Sequence, residues 1–180
     1  WLAESFQAGN LIGVADGSND RVRSPHISGT GWILCDKLTR RTLAGNFTEV
    51  SSSGSSYRGE VLGLCAMHVL VLTIKTHFAC SSSSGMTIFC DNEVAVDRAN
   101  QTVRRIKPRW ACGDVLRSFR NIRPKISTSM SFEYVESHMD DHIPWESMSL
   151  PQQLNCQCDY LAKQAVKDRL ANPRVYPNEQ

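Results

Sequence analysis

Two aspartates stand where chemistry can be done. Asp16 closes the apolar run Leu11 to Asp16 and Asp91 closes the run Met86 to Asp91, so each carboxylate is expected at the C-terminal tip of a buried strand. If the two strands are parallel neighbours, the tips share one edge of the sheet, the edge where open α/β sheets bind ligands. One aspartate at a strand tip is as well explained by turn capping; the pair is what points to a site. Magnesium prefers oxygen ligands at about 2.0–2.1 Å and binds through a few carboxylates plus water and phosphate. Two such ions about 3.5–4 Å apart stabilise the attacking and leaving oxygens of an in-line displacement.

A second constellation, His138 and His142 followed by Cys156 and Cys158, has the residue types of a zinc site. Zinc needs four ligands in a tetrahedron, and the tight Cys-x-Cys spacing beside Asp159 on a helix suits that poorly. Basic residues gather at Arg104, Arg105, Lys107 and Arg109 beside Trp110, and Arg117, Arg120 and Arg123 recur every third residue. Such a stripe fits a phosphate backbone and equally a solvated helix face.

The elements that must position these groups follow from periodicity. Gly29 to Cys35 and Thr42 to Val50 read as strands around the turn Asp36 to Arg41, completing an antiparallel meander with the first strand. A long helix is expected from Tyr57 to Thr76, with a serine as N-cap, Glu60 in its first turn and apolar residues over most of its circumference. A right-handed crossover through it lays the Asp91 strand parallel to the first. Helices are expected over Glu93 to Ala99, Arg109 to Ile122 and Leu154 to Leu170, the last carrying Asp159. Met130 to Glu136 reads as a fifth strand, with Met130, Phe132, Tyr134 and Glu136 on one face. The expected fold is therefore α/β, a five-stranded mixed sheet of a three-strand antiparallel meander plus two parallel strands, flanked by helices.

With 180 residues, 41% hydrophobic and 21% charged, the chain suits one compact domain over residues 11–171, with 1–10 as a connector and 172–180 as a tail. The net charge of +2 decides nothing about nucleic acid, since clustering matters more than the sum. The longest apolar candidate, Val61 to Ile74, is broken by His68 and falls short of the roughly 18–20 residues a bilayer requires, so no membrane partner is expected. Seven cysteines, several inside apolar runs, fit a reducing, intracellular setting.

Four segments carry a resemblance. Val14-Ala15-Asp16-Gly17-Ser18, Tyr57-Arg58-Gly59-Glu60, Phe89-Cys90-Asp91-Asn92 and Cys158-Asp159-Tyr160-Leu161-Ala162 occur in the order and spacing of ribonuclease H domains. The chain resembles that family, in particular its retroelement branch, over residues 11–171. The resemblance implies a metal-dependent endonuclease that cuts the RNA strand of RNA/DNA hybrids and leaves 5′-phosphate and 3′-hydroxyl ends. Asp16, Glu60, Asp91 and Asp159 are then the ligands of two Mg²⁺ ions, with Mn²⁺ as a substitute. His138, in Glu136-Ser137-His138, matches the histidine of the loop before the last helix. A reverse transcriptase, or other domains of a longer polypeptide, is the implied partner.

The chain also departs from that pattern. Ser55, Ser56, Tyr57 and Arg58 stand where many cellular members have polar amides, so Tyr57 as a stacking residue and Arg58 as a phosphate contact are weighed equally against packing roles. Ser18, Asn19, Ser56 and Asn92 are candidate donors to RNA 2′-hydroxyls. The stretch 143–153 lengthens the loop between His138 and Asp159, so His142 competes with His138 for its role. An integrase- or transposase-type polynucleotidyl transferase, or a non-catalytic nucleic-acid-binding or scaffolding module, remains open as an alternative.

Overall fold

The computed structural model describes residues 1–80, 85–101, 105–107, 110–126 and 130–172. Five strands, β1 (Leu11–Ser18), β2 (Ile27–Asp36), β3 (Thr42–Val50), β4 (Met86–Cys90) and β5 (Met130–Tyr134), form one sheet in the order β3-β2-β1-β4-β5. The pairs β1–β2 and β2–β3 are antiparallel; β1–β4 and β4–β5 are parallel. β1 lies at the centre and is buried from Leu11 to Asp16, as a strand covered on both faces must be. Val14 pairs with Phe89, so two residues further along Asp16 and Asp91 stand level with each other, Asp91 just past β4 and Asp16 where β1 outruns β4 and stays paired only with β2, as far as Ser18.

The helices are α1 (Leu2–Gln7), α2 (Ser56–His77), α3 (Glu93–Asn100), α4 (Gly113–Ile122) and α5 (Leu150–Ala171). α2 spreads Val61, Leu64, Met67 and Val71 over one face of the sheet, joined there by Val96 of α3 and by Leu116 and Phe119 of α4. On the other face Leu154 and Cys158 of α5 pack on Ile12, Val14, Ile33 and Cys35. α2 is long and apolar enough to cross a bilayer, but half of it is buried as the central helix of this core.

Several sequence expectations shift in detail. Residues 1–10, read as a connector, contain α1, whose Phe6 joins the core. α4 starts at Gly113 rather than Arg109 because Cys112 adopts a left-handed conformation, φ 56°, behind the turn that begins at Trp110. α5 starts at Leu150, since Pro151 is tolerated in a first turn, where its missing N–H has no helical partner to lose. β5 ends at Tyr134, which is 47% exposed; Val135 takes the inward place and donates its N–H to the Cys90 carbonyl. Val69 likewise faces outward on α2.

His68 is the one fully buried histidine among the described residues. Its ring stacks on Phe132 at 5.2 Å and tilts against Phe119 at 4.2 Å, Nδ1 donates to the Leu64 carbonyl, and Nε2 has no partner. Burial pushes its pKa down from 6.5 to about 4. The unfolded chain therefore takes up a proton near pH 6.5 that the folded chain refuses until about pH 4. Relative to His68→Leu, the natural chain will lose stability as pH falls through that window. Urea unfolding of both proteins between pH 4 and 8 checks this; a difference independent of pH would contradict a desolvated imidazole.

Candidate active site

The sheet edge at the tips of β1 and β4 gathers three carboxylates. Asp16 ends the buried part of β1, Asp91 follows β4, and Glu60, expected in the first turn of its helix, projects from just beyond the first turn of α2, which starts at Ser56; one oxygen from each lies within 4.8 Å of the others. Ser55 starts α2 by accepting the Arg58 N–H at 3.0 Å, while its own N–H donates to Ser28 Oγ. Absent β-carbons then let the helix meet the sheet. A Cβ on Gly17 would lie 2.2 Å from the Ser56 carbonyl oxygen, and one on Gly59 would lie 2.2 Å from that of Gly29. With no side chain at either position, the helix backbone rests on β1 and β2 and carries Glu60 to Asp16.

The cluster is electrostatically expensive. Burial, then repulsion from Asp91 and Asp159, raises Asp16 well above the usual carboxylate range, against which the Gly17 amide is the opposing hydrogen bond. Burial and the charge of Asp91 push Glu60 up to about 8, opposed by a hydrogen bond from Asn92. Burial raises Asp91 as well, countered first by a hydrogen bond from Asn155 and also by the charge of His138. Even so, Glu60 Oε2 and Asp91 Oδ1 are buried with no hydrogen-bond partner. Buried, crowded and under-donated oxygens of this kind fit a hard divalent cation, which supplies the missing positive charge.

The remaining site candidates divide. Asp159, on α5, lies outside the 4.8 Å group but close enough to raise the pKa of Asp16, and it holds Lys163 Nζ at 2.6 Å. His138 is exposed at the start of the short turn Met139–Asp141, in a left-handed conformation, and acts on Asp91 through its charge. His142 closes that turn and is also exposed. The zinc constellation does not assemble: Cys158 is buried with its thiol toward the Val14 carbonyl, whereas the Cys156 thiol faces Asp140. Asn155 was not anticipated from sequence. Buried at 1% exposure one helical turn before Asp159, it could have been found from the i, i+4 spacing that puts both on one face of α5.

The expected nucleic-acid contacts are reassigned in part. Arg58 is buried, and its guanidinium is used up by Glu49, at 2.7 Å from Nη2, and by Asp114, at 2.7 and 3.0 Å. A buried arginine needs such partners, so it is not free for a phosphate. Asn19 donates to the Ser24 and Ile27 carbonyls and so holds its own loop. Asn92 caps α3 at the Ala95 N–H and bonds Glu60, a positioning role. Two of the three arginines of the expected stripe also turn inward, Arg120 donating to the Gln101 carbonyl and Arg123, just past α4, to those of Ala99 and Met130, whereas Arg117 is exposed. Ser18 and Ser56 sit at the end of β1 and the start of α2, and Arg105 and Lys107 are exposed; Arg104 and Arg109 lie outside the described residues.

Tyr57 opens a groove of about 370 Å³ lined also by Asn92, Val94, Arg98, Trp110 and Ala111. Arg98 lies over the Trp110 ring at 3.6 Å, a cation on an aromatic face. The groove adjoins the acids through Asn92 and through Tyr57, whose hydroxyl is raised by burial and, more weakly, by the charge of Glu60.

A mixed sheet in the order β3-β2-β1-β4-β5, with acids at the tips of β1 and β4 and on the helix between, is the ribonuclease H fold. Among solved structures, the chain is similar to the N-terminal ribonuclease H domain of a Mycobacterium tuberculosis protein, at 13% identity and TM-score 0.61 over 91% of this chain and 98% of that one. It is also similar to LC11 ribonuclease H1 in complex with an RNA/DNA hybrid, at 15% identity and TM-score 0.63 over 89% and 99% of the two chains. The prototype foamy virus protease-reverse transcriptase matches at 14% identity and TM-score 0.61 over 87% of this chain, which spans 20% of the viral one. No family model and no curated protein matches the sequence.

Glu60 has a sign opposite to that of His68. Its folded pKa of about 8 exceeds the ordinary 4.5, so the cation-free protein binds an extra proton when folded and loses that stability as pH rises from about 4.5 to 8. Glu60→Gln will be more stable than the natural chain at pH 8 without metal. Added Mg²⁺ will raise the Tm of the natural chain more at pH 8 than at pH 5, and that of the variant less, which a thermal shift series reads. Arg58→Met will lower stability by about 1–2 kcal/mol in urea unfolding, because the two lost ion pairs are to carboxylates that stay partly exposed and are re-solvated by water.

Proposed function

We propose that this chain is a metal-dependent endonuclease that hydrolyses the RNA strand of RNA/DNA hybrids, leaving 5′-phosphate and 3′-hydroxyl ends. The observation that carries the reading is the pocket of Asp16, Glu60 and Asp91, with two buried oxygens that no protein group satisfies. Bound there, divalent ions, Mg²⁺ or in its place Mn²⁺, would neutralise phosphate charge and lower the pKa of an attacking water. Asp16, Glu60 and Asp91 would hold them from the sheet edge, and Asp159 would close the set from the α5 side, where its charge already acts on Asp16. Asn155 fixes the Asp91 carboxylate, and His138, exposed beside Asp91, accepts or delivers protons.

Substrate selection follows from the groove beside the acids. The Arg98–Trp110 stack and Tyr57 offer flat faces and one cation to the sugar-phosphate chain of the uncut DNA strand. Ser18 and Ser56, nearer the acids, are the hydroxyls available to RNA 2′-OH groups. The similarity to a ribonuclease H1 crystallised with a hybrid, and to part of a viral reverse transcriptase, supports a hybrid substrate and a neighbouring reverse transcriptase in a longer polypeptide. Seven free thiols suit a reducing intracellular compartment.

Labelled hybrid, double-stranded DNA and double-stranded RNA, each incubated with Mg²⁺, form the test. Only the RNA strand of the hybrid will be cut, and Asp91→Asn will lower the rate at least about 100-fold, the scale of losing one electrostatic contact to the reacting group. Hybrid binding without cleavage by the natural chain would instead mark a non-catalytic module, and strand joining without hybrid cleavage a polynucleotidyl transferase.

A further inference from the structure

A second cleft opens on the other side of the acids, where the loop between β1 and β2 meets α5. It has a volume of about 410 Å³; Arg21, Arg23, Lys163 and Lys167 line it, over a floor that includes Val166 and Leu170. The loop is built rather than slack. Asn19 ties it to the Ser24 and Ile27 carbonyls, and Asp20 Oδ1 accepts the N–H groups of Val22 and Arg23. The resulting turn leaves Arg21 and Arg23 exposed on either side of Val22, which is 92% exposed. Lys163 and Lys167 stand one helical turn apart on the exposed face of α5.

Charge bookkeeping favours an anion. Of the carboxylates at the cleft, Asp20 is engaged by its own loop backbone and Asp159 by Lys163. Arg21, Arg23 and Lys167 have no acidic partner among the described ion pairs. The place of the cleft then selects which anion. Ser18 lines it two residues beyond Asp16, and Lys163, which also lines it, pairs with Asp159, so the cleft neighbours the acid cluster. The Tyr57–Trp110 groove lies on the opposite face of the sheet, beside α2, α3 and α4. A duplex seated across the sheet edge would meet the two surfaces with different strands.

We infer that the Arg21, Arg23, Lys163 and Lys167 cleft is a phosphate track for the cut strand, holding the phosphodiester backbone that continues away from the acids. This rests on the nuclease reading for which strand is held, but not for the track itself. Arginine and lysine at this geometry bind phosphate charge and read neither base nor sugar, so the track sets register along the strand while the acids do the chemistry.

The test measures Kd for a fluorescein-labelled RNA/DNA hybrid over a salt series, with calcium in place of magnesium, for three proteins. They are the natural chain, Arg21→Gln/Arg23→Gln/Lys167→Gln, and a control triple, Lys37→Gln/Arg40→Gln/Arg41→Gln, which removes the same charge from the turn after β2, at the other end of the sheet. Each phosphate contact contributes about 0.9 to the slope of log K against log salt. The track variant will lose about 2–3 units of slope and bind at least about 10-fold more weakly near 0.1 M salt, while the control changes less than about twofold. Lys167→Glu, on an exposed helix face, will lose about 1 unit of slope without touching the loop. Equal slopes for both triples, or no hybrid binding by the natural chain, would overturn the track. Cleavage with Mg²⁺ separates the two readings. A chain that binds with a track-dependent slope yet cuts nothing refutes the nuclease and keeps the track; one that cuts with unchanged KM in the track variant does the reverse.

Discussion

Mutual repulsion among three carboxylates, two of them buried and one half-buried, is the force the rest of the molecule must contain. Oxygens of Asp16, Glu60 and Asp91 within 4.8 Å, in a site where burial alone already disfavours charge, push their carriers apart unless protons or cations intervene. Containment comes from both faces of the sheet. α2 is pressed onto β1 and β2 at Gly17 and Gly59, and α5 is pressed onto β2 from behind, where a Cβ on Gly31 would lie 2.1 Å from the Cys158 carbonyl oxygen. Apolar packing on each side, through Val61 and Leu64 on α2 and Leu154 and Cys158 on α5, supplies the stabilisation that offsets the crowding.

The basic residues show how little residue type alone decides. Arg58, Arg120 and Arg123 look on paper like a nucleic-acid surface, yet their guanidinium groups satisfy carboxylates and carbonyls inside the fold. Arg98 lies on an indole beside the acids, and Arg21, Arg23 and Lys167 project beside α5 with no acidic partner among the described ion pairs. What separates the groups is burial: a guanidinium drawn under the surface must spend its donors on protein, and only one left at the rim keeps them for phosphate.

The strand tips were legible because the signal was local and double: Leu11 to Asp16 and Met86 to Asp91 are apolar runs with one acid at the end, and parallel pairing does the rest. Glu60 and Asp159 were legible through motif spacing, since nothing in their immediate surroundings marks them. Long-range geometry was beyond reach. Asn155, the Lys163 pairing of Asp159 and the Glu49–Arg58–Asp114 network depend on which faces of α2, α4 and α5 meet, and periodicity gives a face without its partner. Boundaries moved where backbone chemistry overrode pattern, at Pro151, which begins a helix as readily as it ends one, and at Cys112, whose left-handed turn delays α4.

Arg58 has a mechanical meaning beyond its charge. It grips edge strand β3 through Glu49 and the first turn of α4 through Asp114, and it stands two residues before Glu60 on the first turn of α2. Trp110 and Ala111, in the wall of the aromatic groove, lead directly into the α4 turn that Arg58 clamps. Strand, helix and groove wall are thus bolted to the backbone that carries a site carboxylate, so a load applied where a polynucleotide would rest is delivered, through one stiff joint, to that carboxylate.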